Sequence, residues 1–203
     1  MSATYLALGD SYTIGEGVPR DEIWPAQLVR RLEDAGIATE PPRVIARTGW
    51  TTDELLAALQ QEAIEPNYDL VTLLIGVNDQ YRGRSEASFL EGLRALMMRA
   101  LQYAGGRPER VLMVSIPDWG VTAFGEGRDR SRIAEEIDAF NAAKKAEAEE
   151  HGFAWVDVTA ASRQAGDEAA MLASDGLHPS GAQYGAWVEG ILPAAQAILT
   201  SGR

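Results

Sequence analysis

The sequence predicts an α/β protein, a three-layer α/β/α sandwich built on a five-stranded parallel sheet. Three observations predict it. Five short apolar runs alternate along the chain with segments of helical periodicity, which is the pattern of βα units whose strands pair in parallel. The run at residues 70–75, Leu-Val-Thr-Leu-Leu-Ile, is apolar at nearly every position, as a strand covered on both faces is. No repeat with a period of about 20–50 residues interrupts the pattern, and no long Gly/Ser/Pro linker does, so residues 1–203 are expected to form one domain.

The elements follow in order. Residues 5–8 are a strand-length apolar run closed by Gly9. Residues 23–35 have helical spacing, with Pro25 near the first turn, where a missing N–H costs little. Pro41-Pro42 stops the chain before a second strand at residues 44–46. Thr51 or Thr52 caps a helix that carries Leu55, Leu56, Leu59 and Ala63 on one face. The strand at 70–75 comes next, then a helix over 85–103 with Phe89, Leu93, Leu96 and Ala100 on one side. Residues 111–116 are a strand closed by Pro117. Residues 129–150 are a helix with Ile133, Ile137 and Phe140 inward and a charged outer face, ended by His151-Gly152. Residues 153–158 form the fifth strand. After an irregular stretch, Ser180 caps a last helix through Gln183, Trp187 and Ile191, which Pro193 kinks or ends.

Composition excludes several functions. Apolar residues at 46% and charged residues at 24% are globular values, which argues against disorder. The formal charge of −12 repels phosphate backbones and anionic bilayers, so neither nucleic acid nor a membrane surface is an expected partner. There is no Cys and there are two His. Disulfides, thiolate catalysis and Cys- or His-rich metal centres are thereby excluded, and neither metal nor cofactor is expected. No basic segment precedes an apolar run of roughly 7–15 residues at the N-terminus, and no stretch reaches about 18 consecutive apolar residues. The expectation is a cytoplasmic protein without a membrane anchor, with a processed secreted form as the alternative.

In parallel sheets ligands bind at the carboxyl ends of the strands. The residues there are Gly9-Asp10-Ser11-Tyr12, Arg47-Thr48-Gly49-Trp50, Gly76-Val77-Asn78-Asp79 and Pro117-Asp118-Trp119-Gly120, joined by Asp175-Gly176-Leu177-His178-Pro179 before the last helix. Acyl transfer needs a nucleophile, a base, a group that orients the base, and donors for the oxyanion. Without Cys the nucleophile is a hydroxyl, and the base is His151 or His178. His151 sits beside Gly152 at a helix C-terminus, where an imidazole serves the helix dipole and the cap. His178 lies in a loop with Asp175 three residues earlier, close enough for the carboxylate to fold back onto Nδ1. The alternative is a surface turn in which Asp175 caps its own backbone. Singly, Ser11, Gly49 and Asn78 are ordinary turn and cap residues; their placement at one sheet edge makes them a candidate site.

These blocks resemble those of the SGNH hydrolases, also called GDSL esterases/lipases. The first block is Gly9-Asp10-Ser11-Tyr12, the second Gly49, the third Gly76-Val77-Asn78-Asp79 and the last Asp175-Gly176-Leu177-His178-Pro179. The likeness runs from about residue 4 to residue 190 and is nearest to small lysophospholipase-L1-like members. It implies a flavodoxin-like sandwich, a nucleophile at Ser11, a base at His178 and an orienting carboxylate at Asp175. It also implies an oxyanion hole made by the backbone N–H groups of Ser11 and Gly49 and the side-chain amide of Asn78. Tyr12 stands where the family name has Leu, which bears on substrate rather than chemistry. Asp10 and Asp79 flank the site; Asp10 is read as holding the turn.

The substrate is less legible. Tyr12, Trp50, Tyr81 and Trp119, with Phe124, are candidate substrate-binding residues, with core packing as the other reading. Arg82, Arg84, Arg128 and Arg130 are read as solvated loop charges rather than a cationic mouth. No long insertion forms a lid, so the expected substrates are small-molecule, short-chain carboxylic esters: sugar acetates, aryl esters or lysophospholipid-like esters. An acyltransferase and a non-enzymatic flavodoxin-like binding module are the alternatives.

Overall fold

A computed structural model describes residues 2–201. The chain begins with β1 (Tyr5–Gly9), the one-turn helix α1 (Ser11–Ile14) and α2 (Trp24–Asp34). It continues through β2 (Arg43–Ala46), α3 (Thr52–Gln61), β3 (Leu70–Leu74), α4 (Val77–Tyr81) and α5 (Glu86–Tyr103). The last part holds β4 (Val111–Val114), α6 (Arg130–Glu150), β5 (Ala154–Val156), α7 (Thr159–Ala165) and α8 (Gly181–Thr200). Among the described residues five strands pair in parallel, in the order β2-β1-β3-β4-β5. Helices α2 and α8 pack on one another, and α3, α5 and α6 form a second contiguous group. The sheet lies between the two groups, as expected for an α/β/α sandwich.

The central strands are apolar on both faces because both faces are covered. Every residue of β1, β3 and β4 is buried, and each fully buried Leu or Val contributes roughly 1.5–3 kcal/mol. The helices bury one stripe each: Leu28, Val29 and Leu32 on α2, and Phe89, Leu93, Leu96, Met97 and Ala100 on α5. Thr51 begins α3 with a capping box, its N–H donating to Glu54 Oε2 at 2.9 Å. Ser85, Asp129 and Ser180 cap α5, α6 and α8 with their side chains.

The structure departs from the sequence reading at several places. The fourth strand stops at Val114 rather than residue 116. There Asn141 takes over the ladder, accepting from the Ile116 N–H at 2.7 Å and donating to its carbonyl at 3.0 Å. The fifth strand is Ala154–Val156, and the stretch read as irregular contains α7. Pro193 does not end the last helix, which runs on to Thr200. Lys144 and Glu147 of α6 are buried, although the charged residues of that helix read as an outer face.

The strand order reverses between β1 and β3: the chain leaves β1 toward one edge and returns to build toward the other. A crevice opens at such a switch point beyond the carboxyl ends of the strands. Residue Gly9 pairs with Leu74 across it, so the segments after β1 and β3 emerge side by side.

Candidate active site

The first segment turns abruptly out of the sheet. Asp10 caps α1, its Oδ1 accepting from the Tyr12 N–H at 3.0 Å. That makes Ser11 the first residue of a helix, where the backbone N–H has no intrahelical acceptor. Ser11 is 4% exposed and Asp10 fully buried.

The second and third segments are tied together. Gly49 has φ +85°, a left-handed conformation that side chains disfavour. Asn78 Nδ2 donates to Trp50 O at 2.9 Å. The buried Asp79 accepts from the Thr52 N–H at 3.0 Å and from Thr52 Oγ1 at 2.8 Å. Arg82 donates to Gly49 O at 2.6 Å and pairs with Glu54. Gly76 precedes this turn with φ +123°, and a Cβ there would lie 2.6 Å from the Phe89 ring. Asp79 is thus a clamp between two loops, which the sequence spacing did not reveal.

The last segment carries the base candidate. His178 Nδ1 lies 2.6 Å from Asp175 Oδ2. A carboxylate only accepts, so in the neutral imidazole the proton sits on Nδ1 and Nε2 keeps its lone pair. Asp175 Oδ1 accepts the N–H groups of Leu177 at 2.9 Å and His178 at 3.0 Å. Partial burial raises the Asp175 carboxyl, but the hydrogen bonds from the His178 ring and the two N–H groups outweigh it and hold it below the usual carboxylate range. The Tyr12 ring packs against the imidazole at 5.2 Å between centroids. Gly176 O accepts from the Phe124 N–H at 2.9 Å, joining this loop to the one that follows β4.

A cavity of about 170 Å³ lies between these segments, lined by Ser11, Tyr12, Thr48, Gly49, Val77, Asn78, Tyr81, Trp119, Phe124, Leu177 and His178. Residues from five separated stretches of sequence therefore meet at one place. Among the aromatic candidates, Tyr12, Tyr81 and Trp119 line the cavity, as does Phe124. Trp50 does not: its ring packs against the core and its carbonyl serves Asn78. Thr48, Val77 and Leu177, which lie within the strand-end segments but have no role in the sequence reading, line the cavity as well. His151 is elsewhere, at the end of α6, with Nδ1 2.9 Å from Glu147 O.

The arginines are engaged rather than merely solvated. Arg84 pairs with Asp53 at 2.5 Å and with Asp79 at 3.3 Å. Arg128 stands 5.5, 5.3 and 4.8 Å from the ring centres of Tyr81, Trp119 and Phe124, a cation–π arrangement on the aromatic wall. Arg130 donates to Thr122 O at 3.1 Å. Among the described residues no cluster of three His, Asp or Glu is placed to hold a metal ion, and no helix is long and apolar enough to cross a membrane.

A model of the GDSL-like lipase/acylhydrolase family matches residues 7–186. Several solved structures share the fold. The crystal structure of TesA aligns with a TM-score of 0.74 at 24% identity, over 96% of this chain and 99% of that one. Axe2, an acetylxylan esterase from Geobacillus stearothermophilus, aligns at 0.68 and 22% over 98% and 96%. The psychrotrophic esterase EstA from Pseudoalteromonas sp., in a structure inhibited by monoethylphosphonate, aligns at 0.67 and 18% over 98% and 99%. Among curated protein sequences none matches this chain.

Proposed function

Since the chain belongs to the GDSL-like lipase/acylhydrolase family and is a carboxylic-ester hydrolase, we propose that it cleaves short-chain esters through an acyl-enzyme on Ser11, with His178 as base and Asp175 orienting it. Family membership also sets aside the non-catalytic binding module. The observation that carries the reading is the Asp175–His178 contact of 2.6 Å beside a cavity that Ser11, Gly49, Asn78 and His178 line together.

The steps follow from the groups present. The substrate carbonyl carbon is attacked by Ser11 Oγ while His178 Nε2 takes the hydroxyl proton. The carbonyl oxygen becomes an anion, for which the N–H groups of Ser11 and Gly49 and the amide of Asn78 are the donors. His178 then protonates the departing alcohol, leaving an acyl ester on Ser11. Water, deprotonated by the same imidazole, attacks that ester and regenerates the hydroxyl.

The small cavity volume favours a short acyl group, since pockets for drug-sized ligands measure roughly 300–1,000 Å³. Aromatic walls at Tyr81, Trp119 and Phe124 suit an apolar or sugar-like face of the substrate. The acetyl ester cleaved by the acetylxylan esterase is one instance of this size class.

A p-nitrophenyl ester series from acetate to palmitate, run with the wild type and Ser11→Ala, tests the reading. Turnover is expected to peak at acetate or butyrate and to fall at least about tenfold by the longest chains, each excess methylene losing part of its burial. Ser11→Ala should lose both turnover and labelling by a phosphonate. A phosphonate adduct on another residue, or full activity in Ser11→Ala, would overturn it.

A further inference from the structure

The reaction as derived leaves a fully buried lysine without a task. Lys144, on the inner side of α6, is fully buried, a rare state for a lysine. Its Nζ donates to Ile75 O at 3.0 Å and to Val114 O at 2.7 Å. Both carbonyls stand at the carboxyl ends of central strands. Ile75 leads through Gly76 into α4, which carries Asn78. The Gly9–Leu74 pairing brings the residues after them, Asp10 and Ile75, alongside each other. Asp10 is the cap of the helix that begins at Ser11. Its Oδ1 is satisfied by Tyr12, but its Oδ2 is buried without a hydrogen-bond partner among the described residues. Lys144 makes no direct ion pair among the described residues, its Nζ being bound to the two carbonyls, but the negative charges of Asp10, in the β1–α1 turn, and Asp79, on α4, favour its charged form. Burial pushes the Asp10 carboxyl up and the Lys144 ammonium down, and the charge of each opposes the shift of the other.

We propose that Lys144 is a positioning residue for ester hydrolysis: its ammonium pins the ends of β3 and β4 and balances the Asp10 carboxylate, holding the Ser11 turn and the Asn78 turn in register across the switch point. The proposal rests on Ser11 as nucleophile and Asn78 as oxyanion donor. The physical reason is that the two turns come from different strands and must hold their spacing within a fraction of an ångström. A misplacement of about 1 Å in such a site costs about 10²-fold in rate. Two hydrogen bonds from one buried cation span the ends of β3 and β4, and Ile75, one of the two acceptors, follows the Leu74 that pairs with Gly9 at the start of the Ser11 turn. Removing only the cation leaves Asp10 buried with neither an opposing charge nor, at Oδ2, a hydrogen-bond partner, so the carboxyl must bear an uncompensated charge or take up a proton, and either alters the Ser11 turn.

The test compares Lys144→Met, Asp10→Asn and the double variant. Asparagine keeps the capping acceptor, so Asp10→Asn removes the charge without removing the cap. The readout is kcat and KM for p-nitrophenyl acetate, per active site counted by phosphonate titration. Lys144→Met should lower kcat by about 10²-fold with KM changed by less than about twofold, and the double variant should recover about tenfold of that loss. Unchanged kcat per titrated site in Lys144→Met would make the lysine merely structural and overturn the proposal. So would a double variant no more active than Lys144→Met. If Lys144→Met does not fold, the double variant decides: folding with measurable turnover supports the charge balance, and failure to fold overturns it. A wild type that no phosphonate labels would instead sink the Ser11 assignment, so the two failures are distinguishable.

Discussion

Asn78 has two amide N–H donors, and one of them is committed to Trp50 O. That bond orients the other, in a side chain that lines the cavity. Asn78→Ala is therefore expected to lower kcat on p-nitrophenyl acetate by about 10²–10³-fold. Its stability loss should be only about 1 kcal/mol, the worth of one hydrogen bond. Urea denaturation beside the kinetics separates the two effects. Asp175 holds the imidazole through one oxygen and its own loop through the other. Asp175→Asn should cost on the order of 10⁴-fold in kcat, as a wrong tautomer does, and far more than Asp10→Asn. Because the folded carboxyl titrates below its ordinary value, its contacts stabilise the protein above about pH 3.9. That contribution is lost as pH falls through the depressed value, so the stability gap between the wild type and Asp175→Asn should close in acid. A gap that widens toward low pH would contradict the geometry.

At the scale of elements, α8 carries Pro193 within its length. Proline has no N–H to donate to the carbonyl of Glu189, four residues earlier, and its ring crowds that turn. Pro193 is exposed, and α8 persists because Tyr184, Trp187, Val188 and Ile191 before it and Ala195 and Leu199 after it are all buried. Packing overrides propensity here. Pro193→Ala should raise stability by about 1 kcal/mol or more, seen as a higher urea midpoint with an unchanged slope. Ester turnover should not move, since Pro193 does not line the cavity. The two short helices matter in the opposite way: α1 and α4 are too brief for periodicity to reveal, yet they present Ser11 and Asn78.

Across the whole molecule, a net charge of −12 sets like charges against one another in the folded state. Raising salt from about 10 mM to about 0.15 M shortens the screening length from about 30 Å to about 8 Å. The melting midpoint at pH 7 should rise by a few degrees; a fall would mean that the surface ion pairs, such as Arg31–Glu189 and Arg43–Glu62, outweigh the repulsion. By itself the sequence determined the alternation of strands and helices, the small and polar residues at the strand ends, and the Asp175-to-His178 spacing. These are local properties, carried by periodicity, caps and near neighbours along the chain. Tertiary structure alone decided how far the covered stripe of α6 continues past Phe140, and so that Lys144 lies under the site rather than in solvent. It also decided that Asp79 clamps Thr52, that Trp50 turns to the core, and that Phe124 and Arg128 build one wall. Each of these depends on segments tens of residues apart packing together, and burial is set by those distant partners rather than by a residue's own neighbours in sequence.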